Sequence, residues 1–333
     1  MSAGKIAILG TGGWGTALAI LWASQGNEIV LWGHTPGRVE EIAQTRQNPI
    51  YLPGTVMPPN VRLTSNLSDC VGAGVIVFVT PSVALREVAS FLREELKSDY
   101  TILMSCTKGI EHGTGLRMSE ILAEKFPRNP VAVLSGPNLA VEVARGLPSA
   151  TVLGCSDRSI AEELQNTLGS SHFRVYSSDE TVGIELGGAL KNIFAIPAGV
   201  SDGFGFGDNS KAALVTRSLA ELMRVGVAMG GDVRTFQGLS GAGDLIATCF
   251  SRHSRNRQLG EQLGKGKSLT EIMAGTKTVA EGIPTARSAF ECARKLGLET
   301  PIIDQVYAVL HEGKSPAKAM QELLGRDQKS ERG

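Results

Sequence analysis

Lys5-Ile6-Ala7-Ile8-Leu9-Gly10-Thr11-Gly12-Gly13-Trp14-Gly15 is the stretch whose reading decides the fold. An apolar run of strand length passes directly into a complete G-x-G-x-x-G. Gly10 permits the tight turn, Gly12 lets the backbone approach a pyrophosphate, and Gly15 lets the following helix pack closely on the strand. The flanks agree. Ala17–Ala23 is apolar, the helix is expected to run to about Gln25, Gly26-Asn27 supplies a stop, and Glu28–Trp32 returns as a second strand. A dinucleotide would place its pyrophosphate on the free N–H groups and positive dipole end of that helix. A glycine-rich turn in an ordinary α/β domain is the plainer alternative, and the strand–turn–helix context weighs against it.

Working outward, strand-like runs at Val61–Thr64, Val75–Thr80, Thr101–Ser105, Val131–Leu134, Ala150–Leu153 and Phe173–Tyr176 alternate with helical periodicity, as in Val83–Leu96 and Met118–Lys125. Such alternation predicts a mostly parallel sheet covered by helices on both faces. Near residue 178 the pattern changes. Ser177-Ser178-Asp179-Glu180 has the spacing of a capping box, and a long helical stretch follows. Further helices are predicted at 211–229, 255–263, 269–274, 284–296, 301–311 and 316–324, with a second capping box at Ser268 and Glu271. The fold class is therefore α/β: a Rossmann-type, mostly parallel sheet domain over residues 1–178, then an all-helical substrate domain over 179–326. Residues 327–333 read as a polar tail.

The chain has 333 residues, enough for about two domains. Its formal net charge is +0, so no overall field draws it to nucleic acid or to an anionic membrane. Aromatic residues make up only 5%, which argues against a base-stacking platform. Five cysteines at 70, 106, 155, 249 and 292 are too scattered for a C-x-x-C motif and read as reduced, mostly buried thiols of a cytoplasmic protein. No membrane insertion and no metal site are expected.

The tip of the second strand reads Trp32-Gly33-His34-Thr35-Pro36-Gly37-Arg38. The acid that holds a ribose 2′-hydroxyl in NAD-preferring folds is missing. His34 and Arg38 would attract a 2′-phosphate, so NADP as well as NAD is expected to serve. Alternatively, His34 only stacks on or caps the loop.

In open α/β sheets ligands bind outside the carboxyl ends of the strands. Three such ends are unusual: Val77-Phe78-Val79-Thr80-Pro81, Met104-Ser105-Cys106-Thr107-Lys108-Gly109 and Leu134-Ser135-Gly136-Pro137-Asn138. In Gly187-Gly188-Ala189-Leu190-Lys191-Asn192-Ile193, Lys191 lies within an apolar helix. Its two preceding glycines share its face and are expected to let a ligand approach. A buried lysine of lowered pKa is a usable acid or base near neutral pH; a snorkelling lysine is the alternative. Gly241-Ala242-Gly243-Asp244 places a carboxylate after a glycine turn. Ser254-Arg255-Asn256 sets a capping serine, a guanidinium and an amide at one helix N-terminus, good equipment for a phosphate. Arg252 and Arg257 read as solvated charges and His253 as loop surface.

These segments in order resemble the bacterial-type NAD(P)-dependent glycerol-3-phosphate dehydrogenases, nearly end to end. The resemblance rests on GTGGWGTALA at 10–19, CTKG at 106–109, LSGPNLAVEV at 134–143, GGALKNIFAI at 187–196, TFQGLSGAGDLIATC at 235–249, SRNRQLG at 254–260 and KTVAEG at 277–282. It implies a 6-phosphogluconate-dehydrogenase-like architecture. It also implies reversible hydride transfer between NAD(P)H and dihydroxyacetone phosphate, giving sn-glycerol 3-phosphate for glycerophospholipid synthesis, in a family whose members are often homodimers. By resemblance, Lys191 is the general acid/base, Lys108 contacts substrate and cofactor, and Asp244 orients Lys191 and the reacting hydroxyl. Ser254, Arg255 and Asn256 hold the phosphate, while Gly136, Asn138, Asn192 and Thr248 line the substrate side. Gly10, Gly12, Gly13, Trp14, Gly15, His34, Lys108, Ala140, Arg255, Val279 and Glu281 attend the cofactor. Asn138 departs from the Ser or Thr common in the family, and Ser218 from the usual glycine. Two rivals are a related dehydrogenase acting on a hydroxy acid and a non-catalytic dinucleotide sensor. The phosphate-ready 254–256 segment counts against the first. The set Lys108, Lys191 and Asp244, useless to a sensor, counts against the second.

Overall fold

A computed structural model of the chain describes residues 4–276, 279–327 and 330. Ten strands are described: β1 Lys5–Leu9, β2 Glu28–Trp32, β3 Gln47–Asn48, β4 Leu52–Val56, β5 Val61–Thr64, β6 Val75–Phe78, β7 Ile102–Ser105, β8 Val131–Ser135, β9 Ser149–Cys155 and β10 Phe173–Ser178. The first-half helices are α1 Gly13–Ser24, α2 Pro36–Thr45, α3 Leu85–Glu95, α4 Met118–Lys125, α5 Ala140–Ala144 and α6 Arg158–Leu168. The second half carries α7 Val182–Gly203, α8 Asp208–Ala228, α9 Val233–Gln237, α10 Asp244–Phe250, α11 Arg255–Gly264, α12 Leu269–Ala274, α13 Gly282–Lys295, α14 Pro301–His311 and α15 Pro316–Leu324.

The main sheet runs β10-β9-β8-β7-β6-β1-β2-β5 and is parallel except at the β8/β9 pair. Alternate residues of β1 serve different cores. Ile6 and Ile8 join the cluster that includes Leu18 and Trp22 of α1, whereas Ala7 and Leu9 join the one that includes Val88 and Leu92 of α3. Both faces of the sheet are thus covered, the requirement for near-continuous apolar strands. The strand order reverses at β1, between β2 and β6, which opens a crevice at their carboxyl ends.

After Ser178 no strand occurs among the described residues. The helical half gathers around α7, which is buried along most of its length and packs on α8, α10, α11 and α13. Its approach to α11 is at backbone range. A Cβ on Gly199 would lie 1.9 Å from the Arg257 carbonyl oxygen, and one on Gly260 would lie 1.9 Å from that of Ile196. Arg257 accordingly does not lie on a solvated face: the α7/α11 contact draws it to Asp202 at 2.6 Å.

Glu185 of α7 reaches back to the first half, accepting from the Ser119 backbone N–H at 2.9 Å and pairing with Arg117 at 2.7 Å. The capping box expected at Ser177 and Glu180 does not form. Ser177 remains in β10, and Glu180 alone caps the helix start by accepting from the Gly183 N–H at 2.7 Å. The box at Ser268 and Glu271 does form. The β3–β4 hairpin was not expected. The cysteines are free and buried, as anticipated. Within the anticipated tail, residues 328, 329 and 331–333 lie outside the described residues, and Arg326, just before it, pairs with Glu299.

Candidate active site

The glycine turn is built as its spacing requires. Gly10 has φ +132°, and a Cβ on Gly15 would lie 2.0 Å from the Gly10 carbonyl oxygen. Gly12 differs: a Cβ there would meet nothing within 4 Å, so its space is open. Gly12 is also the N-cap of α1 and supplies no side-chain acceptor, so no cap spans the first-turn N–H groups. Open space above uncapped N–H groups fits a dinucleotide pyrophosphate. Asn48 of the β3–β4 hairpin steadies the turn, donating to the Thr11 carbonyl at 2.8 Å and to Thr16 Oγ1 at 2.9 Å. Ala140 opens α5 close to Gly13, and Trp14 tilts against Phe173 at 6.5 Å. At the β2 tip, exposed His34 stands edge-on to Trp32, and Arg38 donates to the Tyr51 hydroxyl at 3.3 Å.

The carboxyl ends of β7 and β8 face the helical half. Thr107 clamps the loop after β7 by donating to the Thr80 carbonyl at 2.9 Å. Lys108 then extends to the Gly136 carbonyl at 3.2 Å and to Asp244 Oδ2 at 2.5 Å. Gly136 lies against β9, and Asn138 donates to the Ala150 carbonyl at 2.9 Å. From the other side, Lys191 Nζ donates to Asp244 Oδ1 at 2.7 Å and to Thr248 Oγ1 at 2.6 Å. One carboxylate therefore bridges two ammonium groups, brought from segments at 108, 191 and 244.

The glycines explain how this happens, and they correct one expectation. Gly187 and Gly188 do not clear space for a ligand. A Cβ on Gly187 would lie 2.6 Å from the Ser240 carbonyl oxygen, and one on Gly188 would lie 2.3 Å from Ser135 Oγ. Their bare face admits a π-helical turn, Leu239–Gly243, on one side and the end of β8 on the other. That turn ends at Asp244, the first residue of α10. A π-turn of this kind frequently accompanies a functional site.

Lys191 is 7% exposed. Burial, with the nearby Lys108 charge, brings its pKa down to about 8 against the opposing pull of Asp244. Burial also works against the Asp244 charge, yet the two ammonium groups hold its carboxyl below the usual range.

At the head of α11, Ser254 caps the helix by accepting from the Arg257 N–H at 3.2 Å. Asn256 donates to Asn192 Oδ1 at 2.8 Å and accepts from the Gly282 N–H at 2.9 Å. Asn192, one residue past Lys191, is thereby linked to the head of α13. The Arg255 guanidinium has no hydrogen-bond or ion-pair partner among the described residues. Val279 is exposed, and Glu281 meets Ser82 across the crevice. Lys277 and Thr278 of the KTVAEG motif lie outside the described residues. Ser82, just past the strand end at 77–81, joins this group through Glu281 without a motif that marks it. The only available signal was its place after a strand's carboxyl end.

The family model for the N-terminus of NAD-dependent glycerol-3-phosphate dehydrogenase matches residues 5–161, and that for the C-terminus matches residues 180–321. The glycerol-3-phosphate dehydrogenase [NAD(P)+] of Streptomyces griseus is 46% identical over 331 residues, covering 98% of each chain. That of Chlorobium phaeobacteroides is 45% identical over 333 residues, covering 99% of each. A solved glycerol-3-phosphate dehydrogenase of Coxiella burnetii superposes with a TM-score of 0.94 at 38% identity, covering 98% of this chain and 100% of that one.

Proposed function

This chain belongs to the NAD-dependent glycerol-3-phosphate dehydrogenase family, and we infer from its site how the labour of that reaction is divided. The protein interconverts dihydroxyacetone phosphate and sn-glycerol 3-phosphate with NAD(H) or NADP(H), a product that serves glycerophospholipid synthesis. The observation that carries the assignment of roles is the Asp244 carboxylate held between Lys108 and Lys191.

Residues 1–178 hold the cofactor and 179–326 present the substrate. The bound nicotinamide supplies or accepts the hydride. Lys191 gives its proton to the carbonyl oxygen in reduction and takes it back in oxidation. Asp244 and Thr248 fix the direction of its Nζ. The cluster carries two cations against one anion, and that surplus stabilises the alkoxide that develops. Lys108 adds charge from the cofactor side, where the Gly136 carbonyl holds it. Arg255, with Ser254, Asn256 and the α11 N-terminus, receives the phosphate, Asn192 lines the substrate side, and the bond from Asn256 to Asn192 braces that region through the protein. Asn138 and Gly136 shape the β8 edge of the substrate space. Gly10, Gly12, Gly13, Gly15, Trp14, His34, Ala140, Val279 and Glu281 form the cofactor side.

No acid stands at the tip of β2, so NADPH is accepted alongside NADH. No described helix is long and apolar enough to cross a membrane; we assign the protein to the cytoplasm and, with its family, to a homodimer. Loss of reduced-cofactor absorbance with dihydroxyacetone phosphate, run with each cofactor, tests the reaction and the choice together. Lys191→Ala should lower kcat by about 10²–10⁴-fold, the usual share of general acid–base catalysis, while cofactor binding is kept. Near-normal turnover in that variant would sink the assignment.

A further inference from the structure

Glu281 and Ser82 are 199 residues apart in sequence and meet across the crevice. The Ser82 backbone N–H donates to Glu281 Oε1 at 3.2 Å, and its hydroxyl donates to Oε2 at 2.7 Å. Both carboxylate oxygens are thus held by a single residue of the other half. Local geometry is arranged for this. Pro81 leads into the short 3₁₀ turn Ser82–Ala84 directly after β6. Gly109, beside Lys108, leaves room for the serine, since a Cβ there would lie 2.4 Å from Ser82 Cβ. Burial pushes the Glu281 carboxyl up, and the bonds from Ser82, with the charge of Arg255, oppose it.

The position matters. β6 flanks β1 on the side away from β2. In a doubly wound sheet the β2 side takes the adenosine half of a dinucleotide, so the β6 side takes the nicotinamide half. We propose that Ser82 is a positioning residue for the nicotinamide end of the cofactor: it holds the Glu281 carboxylate in place and ties the head of α13 to the end of β6. This rests on the reading of Glu281 as a cofactor residue. The serine itself need not touch the cofactor. It fixes the group that does, and it sets how closely the helical half stands over that end of the crevice.

The test is direct NADPH binding, followed by cofactor fluorescence, for the full chain and for Ser82→Ala, Ser82→Thr, Glu281→Gln and the double variant Ser82→Ala/Glu281→Gln. Thermal melts accompany each. Ser82→Ala frees the Glu281 carboxylate and should weaken binding roughly tenfold, while the protein stays folded with a melting temperature lowered by about a few degrees for the lost hydrogen bond. Ser82→Thr, which keeps the hydroxyl, should restore it. The double variant should bind no worse than Glu281→Gln alone, because the serine acts only through the carboxylate. A loss in Glu281→Gln with none in Ser82→Ala overturns the tether alone. Independent, multiplying losses in the double variant overturn it as well. Unaltered binding in Glu281→Gln overturns the cofactor role of Glu281, and the proposal with it.

Discussion

The glycine turn at 10–15 and the lysine–carboxylate cluster at 108, 191 and 244 both depend on glycines, but in opposite ways. In the turn, Gly15 closes on the Gly10 carbonyl, Gly10 lies against the Val79 carbonyl just past β6, and Gly12 leaves its space open for a ligand. In the cluster, Gly187 and Gly188 leave no such space. Their missing side chains are replaced by the Ser240 carbonyl and the Ser135 hydroxyl, and this close seating carries Asp244 to Lys191. A glycine beside a functional residue is therefore not evidence of a ligand-facing surface. What stands opposite it decides.

The contrast can be broken most forcefully by adding one methyl group to each region. Gly187→Ala should cost about 1–3 kcal/mol of stability by overpacking. It should also lower kcat at least tenfold, as the π-turn and Asp244 are pushed from Lys191. Gly12→Ala should melt like the parent and weaken NADPH binding instead. Equal stability losses in denaturant titrations of the two variants would erase the distinction.

A smaller effect separates the regions by pH. With the Lys191 pKa near 8, glycerol 3-phosphate oxidation needs the neutral amine and should rise as pH increases through about 8. Reduction of dihydroxyacetone phosphate needs the ammonium and should fall over the same interval. Rate profiles in both directions, taken with saturating cofactor, check this. Parallel profiles would remove Lys191 as the titrating group.

The smallest effect lies away from both. Glu221 of α8 accepts from the Ile302 and Ile303 N–H groups at 3.0 and 2.8 Å, capping α14 from outside. Burial pushes its carboxyl up to about 7 against those bonds. The folded state then holds the proton more tightly than the unfolded chain, so this group's contribution to stability declines as pH rises from about 4.5 to about 7. The melting temperature of Glu221→Gln relative to the parent should climb across that window. A flat difference would show that the carboxyl does not titrate there.

Much of the site was legible because its parts are local. The periodicity of α11 and its capping serine could be read directly, as could the place of Lys108 after a strand. The β3–β4 hairpin was not legible: Gln47-Asn48 and Leu52-Pro53-Gly54 show no alternation, yet Asn48 holds the Thr11 carbonyl. Arg257 read as a solvated charge because nothing in Arg255-Asn256-Arg257 shows that α7 and α11 meet at backbone range and bury it beside Asp202. The box at Ser177 and Glu180 failed because the pairing of β10 with β9 runs through Ser177 and keeps it extended.

The sequence by itself determined the strand–turn–helix that opens the chain, the change from alternating to helical pattern near residue 178, and the residue types the reaction needs. Those depend on hydrogen bonds and side-chain periods spanning a few residues. Only the tertiary structure decided that one carboxylate would join two lysines, that the glycines at 187 and 188 would seat protein and not ligand, and that Ser82 would hold Glu281. Each of those contacts closes a loop of tens to hundreds of residues, and its geometry is set by the packing of whole helices against the sheet.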